Sequence, residues 1–144
     1  MQEHGYLNQL QNLAEKYGIL DIYAFGSRQY EIAAMVQGKS NENVLSNSDT
    51  DIAIRTAHDK NFKVIDRVNL TAELEDLFAV GSVDLVVLNE ADVFLALEII
   101  KGQLLYVSDP DDQARFELYI MRKAGDLLQF QKERMHAVLE EGAR

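Results

Sequence analysis

Hydrophobic positions follow a helical period in some segments of the chain and cluster into short apolar runs in others. The helical segments have apolar residues three or four positions apart and lie at residues 3–17, 28–36, 60–80, 91–101 and 110–140. The short apolar runs lie between them, at residues 19–25, 48–55, 83–88 and 104–107. Gly18, Gly81 and Gly102 are helix stop signals, and Pro110 is tolerated in the first turn of the last helix. The pattern therefore predicts helices and strands in strict alternation.

Strict alternation is typical of an α/β layered structure, in which helices cover a sheet. The chain has 144 residues, which is enough for one domain with a substantial core. We therefore expect a single domain over residues 1–144. The polar, turn-rich segment at residues 37–47 is predicted to be an exposed loop.

Composition and charge narrow the possible functions. The net charge of −10 disfavours direct binding to nucleic acid, which depends on neutralising phosphates with basic residues, and favours a small-molecule or protein partner. The absence of cysteine excludes disulfides and thiolate metal sites. The chain shows neither a signal peptide nor an apolar run of membrane-spanning length, so we expect a cytoplasmic protein without membrane contact.

Three aspartates stand where strands do not favour them. Asp84 interrupts the apolar run at residues 83–88, which is expected to be a strand buried on both faces. Asp49 and Asp51 are two residues apart, so they point to one face of their strand, while the isoleucines that follow point to the core. If the two strands are neighbours, the three carboxylates converge.

Converging carboxylates repel one another, and a bound divalent cation relieves that repulsion. Mg²⁺ prefers a few carboxylate oxygens and leaves coordination positions for substrate phosphates. The residues alone leave two other interpretations open. Asp49 and Asp51 could form a solvated turn or cap, and Asp84 could face water from an edge strand.

The dipeptide Gly26-Ser27 ends the first strand and can open the following helix. Backbone amides at the start of a helix bind phosphate. Arg28 and Arg55 could contact phosphates or pair with surface acids. An amide cradle and metal-binding carboxylates together are what nucleotidyl transfer requires.

Three motifs occur in a characteristic order, Phe25-Gly26-Ser27-Arg28, Ser48-Asp49-Thr50-Asp51 and Val83-Asp84-Leu85-Val86. They resemble the nucleotidyltransferase superfamily that includes DNA polymerase β. The similarity is greatest to the minimal nucleotidyltransferases, the MNT antitoxins of HEPN/MNT toxin–antitoxin pairs, and spans residues 15–110. It implies a nucleotidyltransferase fold of the α/β (α+β) class, with a small mixed sheet flanked by helices and a long C-terminal helix.

The same resemblance implies the chemistry. The residues expected to bind the nucleotide phosphates are Gly26, Ser27 and Arg28. The residues expected to bind Mg²⁺ and to be catalytic are Asp49, Asp51 and Asp84. Asp84 would also help to activate the attacking hydroxyl. The implied reaction transfers AMP from ATP to a hydroxyl, expected on a tyrosine, of a cognate HEPN toxin, an RNase that the modification silences.

One departure from the family pattern keeps alternatives open. The connection between Ser27 and Asp49 is longer than in minimal family members and begins with Gln29-Tyr30-Glu31. A longer loop adds little closure entropy, so the insertion at residues 29–47 could either lid or block the nucleotide pocket. The alternatives are a binding module that neutralises a toxin without catalysis and a nucleotidyltransferase that acts on a small molecule.

The last helix, at residues 110–140, would be roughly 45 Å long at 1.5 Å per residue. That is longer than a domain of this size spans. Its far part carries apolar residues at helical spacing, among them Leu127, Leu128, Met135 and Val138. We therefore expect the far end to dock on a protein partner.

Overall fold

A computed structural model describes residues 2–39, 49–59 and 61–142. Within them, helices and strands alternate in the predicted order. The helices are α1 Gln2–Tyr17, α2 Gln29–Val36, α3 Val64–Phe78, α4 Val93–Ile100 and α5 Pro110–Gly142. The strands are β1 Ile19–Phe25, β2 Asp49–Thr56, β3 Ser82–Val87 and β4 Gln103–Val107.

The strands form one mixed sheet in the order β3-β2-β1-β4. β1 is antiparallel to β2 and to β4, whereas β2 and β3 are parallel. The expected small mixed sheet flanked by helices is confirmed. The prediction that the third strand is buried on both faces is wrong, because β3 lies at the edge of the sheet and Asp84 is exposed.

A separate apolar core covers each face of the sheet. On one face, α1, α2 and α3 contribute Leu10, Ile32, Leu70 and Phe78, which pack against strand residues that include Ile22, Ile52 and Ile54. On the other face, α4 and the first part of α5 contribute Ile99 and Ile120, which pack on Tyr23 and Ala53. The prediction that the isoleucines after Asp51 point to the core is confirmed.

Local chemistry sets the helix boundaries, in two cases differently from expectation. Gly18 ends α1 in the left-handed region at φ 69°, as predicted. α3 begins at Val64 rather than at residue 60, because the Asp66 carboxylate accepts from the Lys63 N–H at 2.9 Å and caps the helix there. It ends at Phe78 rather than at Gly81, and Ala79 adopts the left-handed cap conformation at φ 54°.

Most of the predicted loop at residues 37–47 lies outside the described residues, since only residues 37–39 are described. These three are exposed, and Gln37 and Gly38 form a turn at the end of α2. Whether the insertion at residues 29–47 lids or blocks a pocket stays a prediction.

Polar contacts fix the first half of α5 to the sheet. The buried carboxylate of Asp21 on β1 accepts from Arg55 Nε on β2 at 2.5 Å, and Arg55 Nη2 reaches Asp112 of α5 at 2.8 Å. Five residues further along α5, Glu117 accepts a hydrogen bond from the buried hydroxyl of Tyr23 at 2.8 Å. Nowhere in the described part of the chain is a helix both long and apolar enough to cross a bilayer.

Candidate active site

The strand register brings the predicted carboxylates to one face of the sheet. Asp51 of β2 lies directly opposite Asp84 of β3, and Asp49 lies opposite Ser82. Residues two apart on a strand, and directly opposite residues on neighbouring strands, point to the same side. The four side chains therefore share the face that α4 and α5 cover further along the sheet.

The three carboxylates influence one another electrostatically. Burial raises the pKa of Asp51, and the charges of Asp84 and Asp49 raise that pKa further. None of the three forms an ion pair with a residue that the structure describes. Repulsion between them is therefore not offset by a described side chain.

Gly26 brings the backbone of the Gly-Ser turn against Asp51. Phe25, the last residue of β1, pairs with Asp51, and Gly26 turns the chain at φ 75°, in the left-handed region that favours glycine. A Cβ at Gly26 would overlap the carboxylate oxygen Oδ2 of Asp51. The positive φ strains any L side chain at this position, and a Cβ would also displace the Asp51 carboxylate, so glycine is favoured and the turn lies next to the carboxylates.

The turn opens a helix, as the sequence predicted. Gly26, Ser27 and Arg28 form one 3-10 turn that continues directly into α2, and the Gln29 side-chain amide donates to the Gly26 carbonyl at 3.1 Å. The Arg28 guanidinium lies 3.6 Å from the Glu31 carboxylate and is partly exposed. Arg28 is thus an ion-pair partner of Glu31 at the edge of the site.

The carboxylate oxygens of Asp49, Asp51 and Asp84 are ligands of the kind that a hard divalent cation binds. Among the described residues, no three acidic or histidine side chains stand close enough together to hold a metal ion as they are. Asp49 instead accepts from the Ser82 hydroxyl at 2.5 Å. The three carboxylates on one face, and the raised pKa of Asp51, indicate negative charge that a bound cation would neutralise.

Gly26→Ala is expected to lower the free energy of unfolding by about 1–3 kcal/mol, because an L side chain at this φ is strained and its Cβ meets Asp51. Urea unfolding followed by circular dichroism measures the change. Gly125→Ala in α5 is the matched control, since nothing lies within 4 Å of its Cβ position. In a helix interior that change should stabilise by about 0.5–1 kcal/mol. Equal effects at both positions would contradict the close approach of Gly26 to Asp51.

The sequence profile of the family Polymerase beta, Nucleotidyltransferase matches residues 8–111. That range is most of the chain. The chain belongs to this nucleotidyltransferase family. The resemblance seen in the three sequence motifs is therefore confirmed at the level of the family.

Solved structures share the fold of this nucleotidyltransferase over nearly its whole length. A chain of the crystal structure of a toxin–antitoxin with AMP-PNP is 25% identical, with a TM-score of 0.62, and the match covers 96% of this chain and 99% of that one. A chain of the complex of a tri-AMPylated Shewanella oneidensis HEPN toxin with its MNT antitoxin is 21% identical, with a TM-score of 0.61 and coverages of 95% and 98%. A chain of the MntA–HepT toxin–antitoxin is 22% identical, with a TM-score of 0.60 and coverages of 94% and 98%. No curated protein matches the nucleotidyltransferase significantly.

Sequence reasoning missed the polar groups buried beneath α5 of the nucleotidyltransferase. It considered surface acids as partners of Arg55, and the partly exposed Asp112 is such a partner, but the pairing of Arg55 with the fully buried Asp21 was not anticipated. The one available signal was a single aspartate within the apolar run of β1. The role of Tyr23 as an anchor for Glu117 had no sequence signal, because a tyrosine in a strand is common.

Proposed function

We propose that this nucleotidyltransferase is an Mg²⁺-dependent protein adenylyltransferase that acts as an antitoxin. It transfers AMP from ATP to a hydroxyl, expected on a tyrosine, of a cognate HEPN toxin, a helical RNase that we call the helical toxin, and thereby neutralises the toxin. The main support for the proposal is the register of β2 and β3, which sets Asp51 opposite Asp84. The Gly26 turn lies against the same Asp51 carboxylate.

The residues have the following roles in the proposed reaction. The backbone of Gly26 and Ser27 holds the ATP phosphates at the start of the helical turn, with Arg28 at the edge. Asp49, Asp51 and Asp84 would hold Mg²⁺. When bound, the ion supplies positive charge for the phosphate oxygens in the transition state. Asp84 is exposed, as is Asp49, so an incoming hydroxyl can reach Asp84 from solvent.

The step forms one bond and breaks one. The acceptor oxygen forms a bond to the α-phosphorus of ATP as the bond between that phosphorus and the bridging oxygen breaks. Pyrophosphate leaves with the electron pair, and Asp84 accepts the proton of the hydroxyl. Positioning and charge supply most of the rate in such transfers, which suits a site made of carboxylates and backbone amides.

Support for a protein acceptor comes from α5. Past Ala124, the face of α5 that packs on the domain continues as exposed apolar residues. We call these the distal stripe: Leu127, Leu128, Met135, Val138 and Leu139. An exposed apolar stripe of this length marks a protein contact. The neighbours with this fold come from toxin–antitoxin complexes, and the chain spans nearly their full length, so a small-molecule acceptor has little support.

Leu128→Glu/Met135→Glu should weaken binding to the helical toxin partner at least about tenfold, because two charges would enter an apolar contact. Titration calorimetry with the purified, catalytically inactive toxin measures the affinity. The control is Gln129→Glu/Ala137→Glu, which adds the same charge on the opposite side of the helix at 100° per residue. A distal stripe without a role in binding would show equal affinities for the two double variants.

Labelled ATP tests the proposed activity. The purified protein is incubated with Mg²⁺, ATP labelled in the α-phosphate and the helical toxin, alongside the Asp49→Ala/Asp51→Ala protein. Label on the toxin that appears with the unmodified protein and is absent with the double variant supports catalysis. An unlabelled toxin that the double variant still neutralises fully would instead establish a binding module and refute the enzyme.

A further inference from the structure

A cavity of about 540 Å³ lies at the other end of β2 from the candidate active site. It is bordered by the end of β2 and the residues after it, by the segment from the end of β3 to the start of α4, and by one side of α5. Arg55 forms part of its floor and shares a strand face with Asp51, four residues earlier. None of the aspartates of the candidate active site lines it, so the cavity is separate from that site.

The cavity is rich in cationic side chains although the chain as a whole is acidic. Arg55, Arg115 and Lys123 line it, and His58 stands at its edge. The one carboxylate in the lining is Asp112, and it is already bonded to Arg55. Beneath the floor, Asp21 is also bonded to Arg55. These two carboxylates do not balance three permanent cations.

The positive charge that these carboxylates leave unbalanced belongs to two residues of α5, Arg115 and Lys123. Arg115 and Lys123 form no ion pair with any residue in the described ranges. Lys123 lies against Tyr119 instead, with its ammonium 5.7 Å from the ring centre and 3.5 Å from the hydroxyl. By contrast, Arg55 is fixed in place, since two carboxylates hold it and its guanidinium lies 4.8 Å from the Phe116 ring centre. Arg55 is therefore held by its two carboxylates, whereas Arg115 and Lys123 stand on the wall outside the described ion pairs. The hydrogen bond from Arg55 lowers the pKa of Asp112, and the charge of Arg115 lowers that pKa further.

The remaining lining suits a planar or apolar group. Phe116 and Tyr119 supply aromatic surface, and Leu88, Val93 and Ile120 supply aliphatic surface. The volume lies in the range of small-molecule sites, which are mostly apolar with a few placed polar groups. Cations next to aromatic surface match a ligand that joins a phosphate to a ring.

We propose that this cavity binds a phosphate-bearing ligand of nucleotide size, with the phosphate on Arg115 and Lys123 and the ring against Phe116 and Tyr119. Two sources can present this chemistry. One is a free nucleotide. The other is an adenylyl group already attached to the acceptor hydroxyl, which rests on the proposed function.

AMP is the probe for the site, and calorimetry in EDTA measures its affinity, so that cation binding at the aspartates cannot contribute. Arg115→Gln/Lys123→Gln should weaken AMP binding at least about tenfold, because two charge-assisted hydrogen bonds are lost. Arg122→Gln/Lys132→Gln removes the same charge from the same helix outside the cavity and should change the affinity less than about twofold. Equal losses in the two variants, or no AMP binding by the unmodified protein at millimolar concentration, would overturn the proposal.

The Asp49→Asn/Asp51→Asn protein separates this site from the catalytic one. Under the proposal it binds AMP as the unmodified protein does. Binding that is lost in this variant but kept in Arg115→Gln/Lys123→Gln would refute the second site. Because no transfer takes place in the experiment, failure of the proposed enzymatic function would leave this result unaffected.

A second titration, with O-adenylyl-tyrosine amide, distinguishes a free nucleotide from an adenylyl group attached to an acceptor as the ligand of the cavity. Tighter binding than that of AMP, lost in Arg115→Gln/Lys123→Gln, would assign the cavity to a modified acceptor. Equal binding of the two probes, lost in the same variant, would assign it to a free nucleotide. Binding of either probe that the variant leaves unchanged would contradict the proposal.

Discussion

The Asp51→Asn protein should transfer AMP at least roughly 1000-fold more slowly than the unmodified enzyme, which corresponds to about 4 kcal/mol of lost transition-state stabilisation. Asp51 is the carboxylate that faces Asp84 across the strand pair and that the Gly26 turn contacts. Its loss removes charge from the centre of the proposed cation site. Initial rates of label transfer to the helical toxin measure the effect.

Two controls separate a catalytic role of Asp51 from a structural one. Asp126→Asn changes an exposed carboxylate on α5 and should keep the full transfer rate. The Asp51→Asn protein itself should unfold at the same temperature or higher, because it loses repulsion from Asp84 and Asp49. A variant that kept more than a tenth of the rate would contradict the role assigned to Asp51.

The Arg55→Met protein should lose about 3–5 kcal/mol of its free energy of unfolding, because the substitution leaves Asp21 as a buried charge without its cation. Asp21 is fully buried, its partner Arg55 is nearly so, and the Oδ1 atom of Asp21 already lacks a hydrogen bond. The contact between α5 and the sheet through Asp112 is lost as well. Urea unfolding at neutral pH measures the change.

The pH dependence of this loss identifies its cause. Burial raises the pKa of Asp21 above its ordinary 3.8, and Arg55 opposes that rise, so removing Arg55 should raise the pKa further. Between the ordinary and the folded pKa, folding takes up a proton. The stability of Arg55→Met should therefore fall as the pH rises through that window and level off above the folded pKa.

Replacing both Asp21 and Arg55 also tests whether the unpaired buried charge of Asp21 causes the loss of stability. Asp21→Leu/Arg55→Met contains no buried charge at this position and should recover most of the stability that Arg55→Met loses. A double variant as unstable as the single one would show that Arg55 acts through packing on Phe116 rather than through charge.

The sequence predicted the order of elements because helical and strand periods are local properties. It also predicted that Asp49 and Asp51 share a face, since that follows from the geometry of any strand. The pairing of Asp51 with Asp84 could be stated only conditionally, because which strands are neighbours depends on tertiary structure. The structure supplies that pairing and with it the basis of the candidate site.

Other features depended on contacts that no local pattern encodes. The apolar run at residues 83–88 predicted a strand buried on both faces. In the structure this strand is β3, at the edge of the sheet, and its face at Asp84 is exposed to solvent. The helix α3 ends at a left-handed Ala79, where a glycine would be favoured. Arg55 and Asp21 are 34 residues apart, so only the packed sheet makes them partners.

Intact-mass spectrometry of the helical toxin is the most direct test of the central claim, that Asp49, Asp51, Asp84 and the Gly26-Ser27 turn form an AMP-transferring site. The toxin is incubated with ATP and Mg²⁺ in the presence of the unmodified protein or of the Asp51→Asn protein. We predict a toxin heavier by one or more AMP units, mapped to a tyrosine by fragmentation, with the unmodified protein alone. A toxin of unchanged mass that is nevertheless fully neutralised would contradict the account.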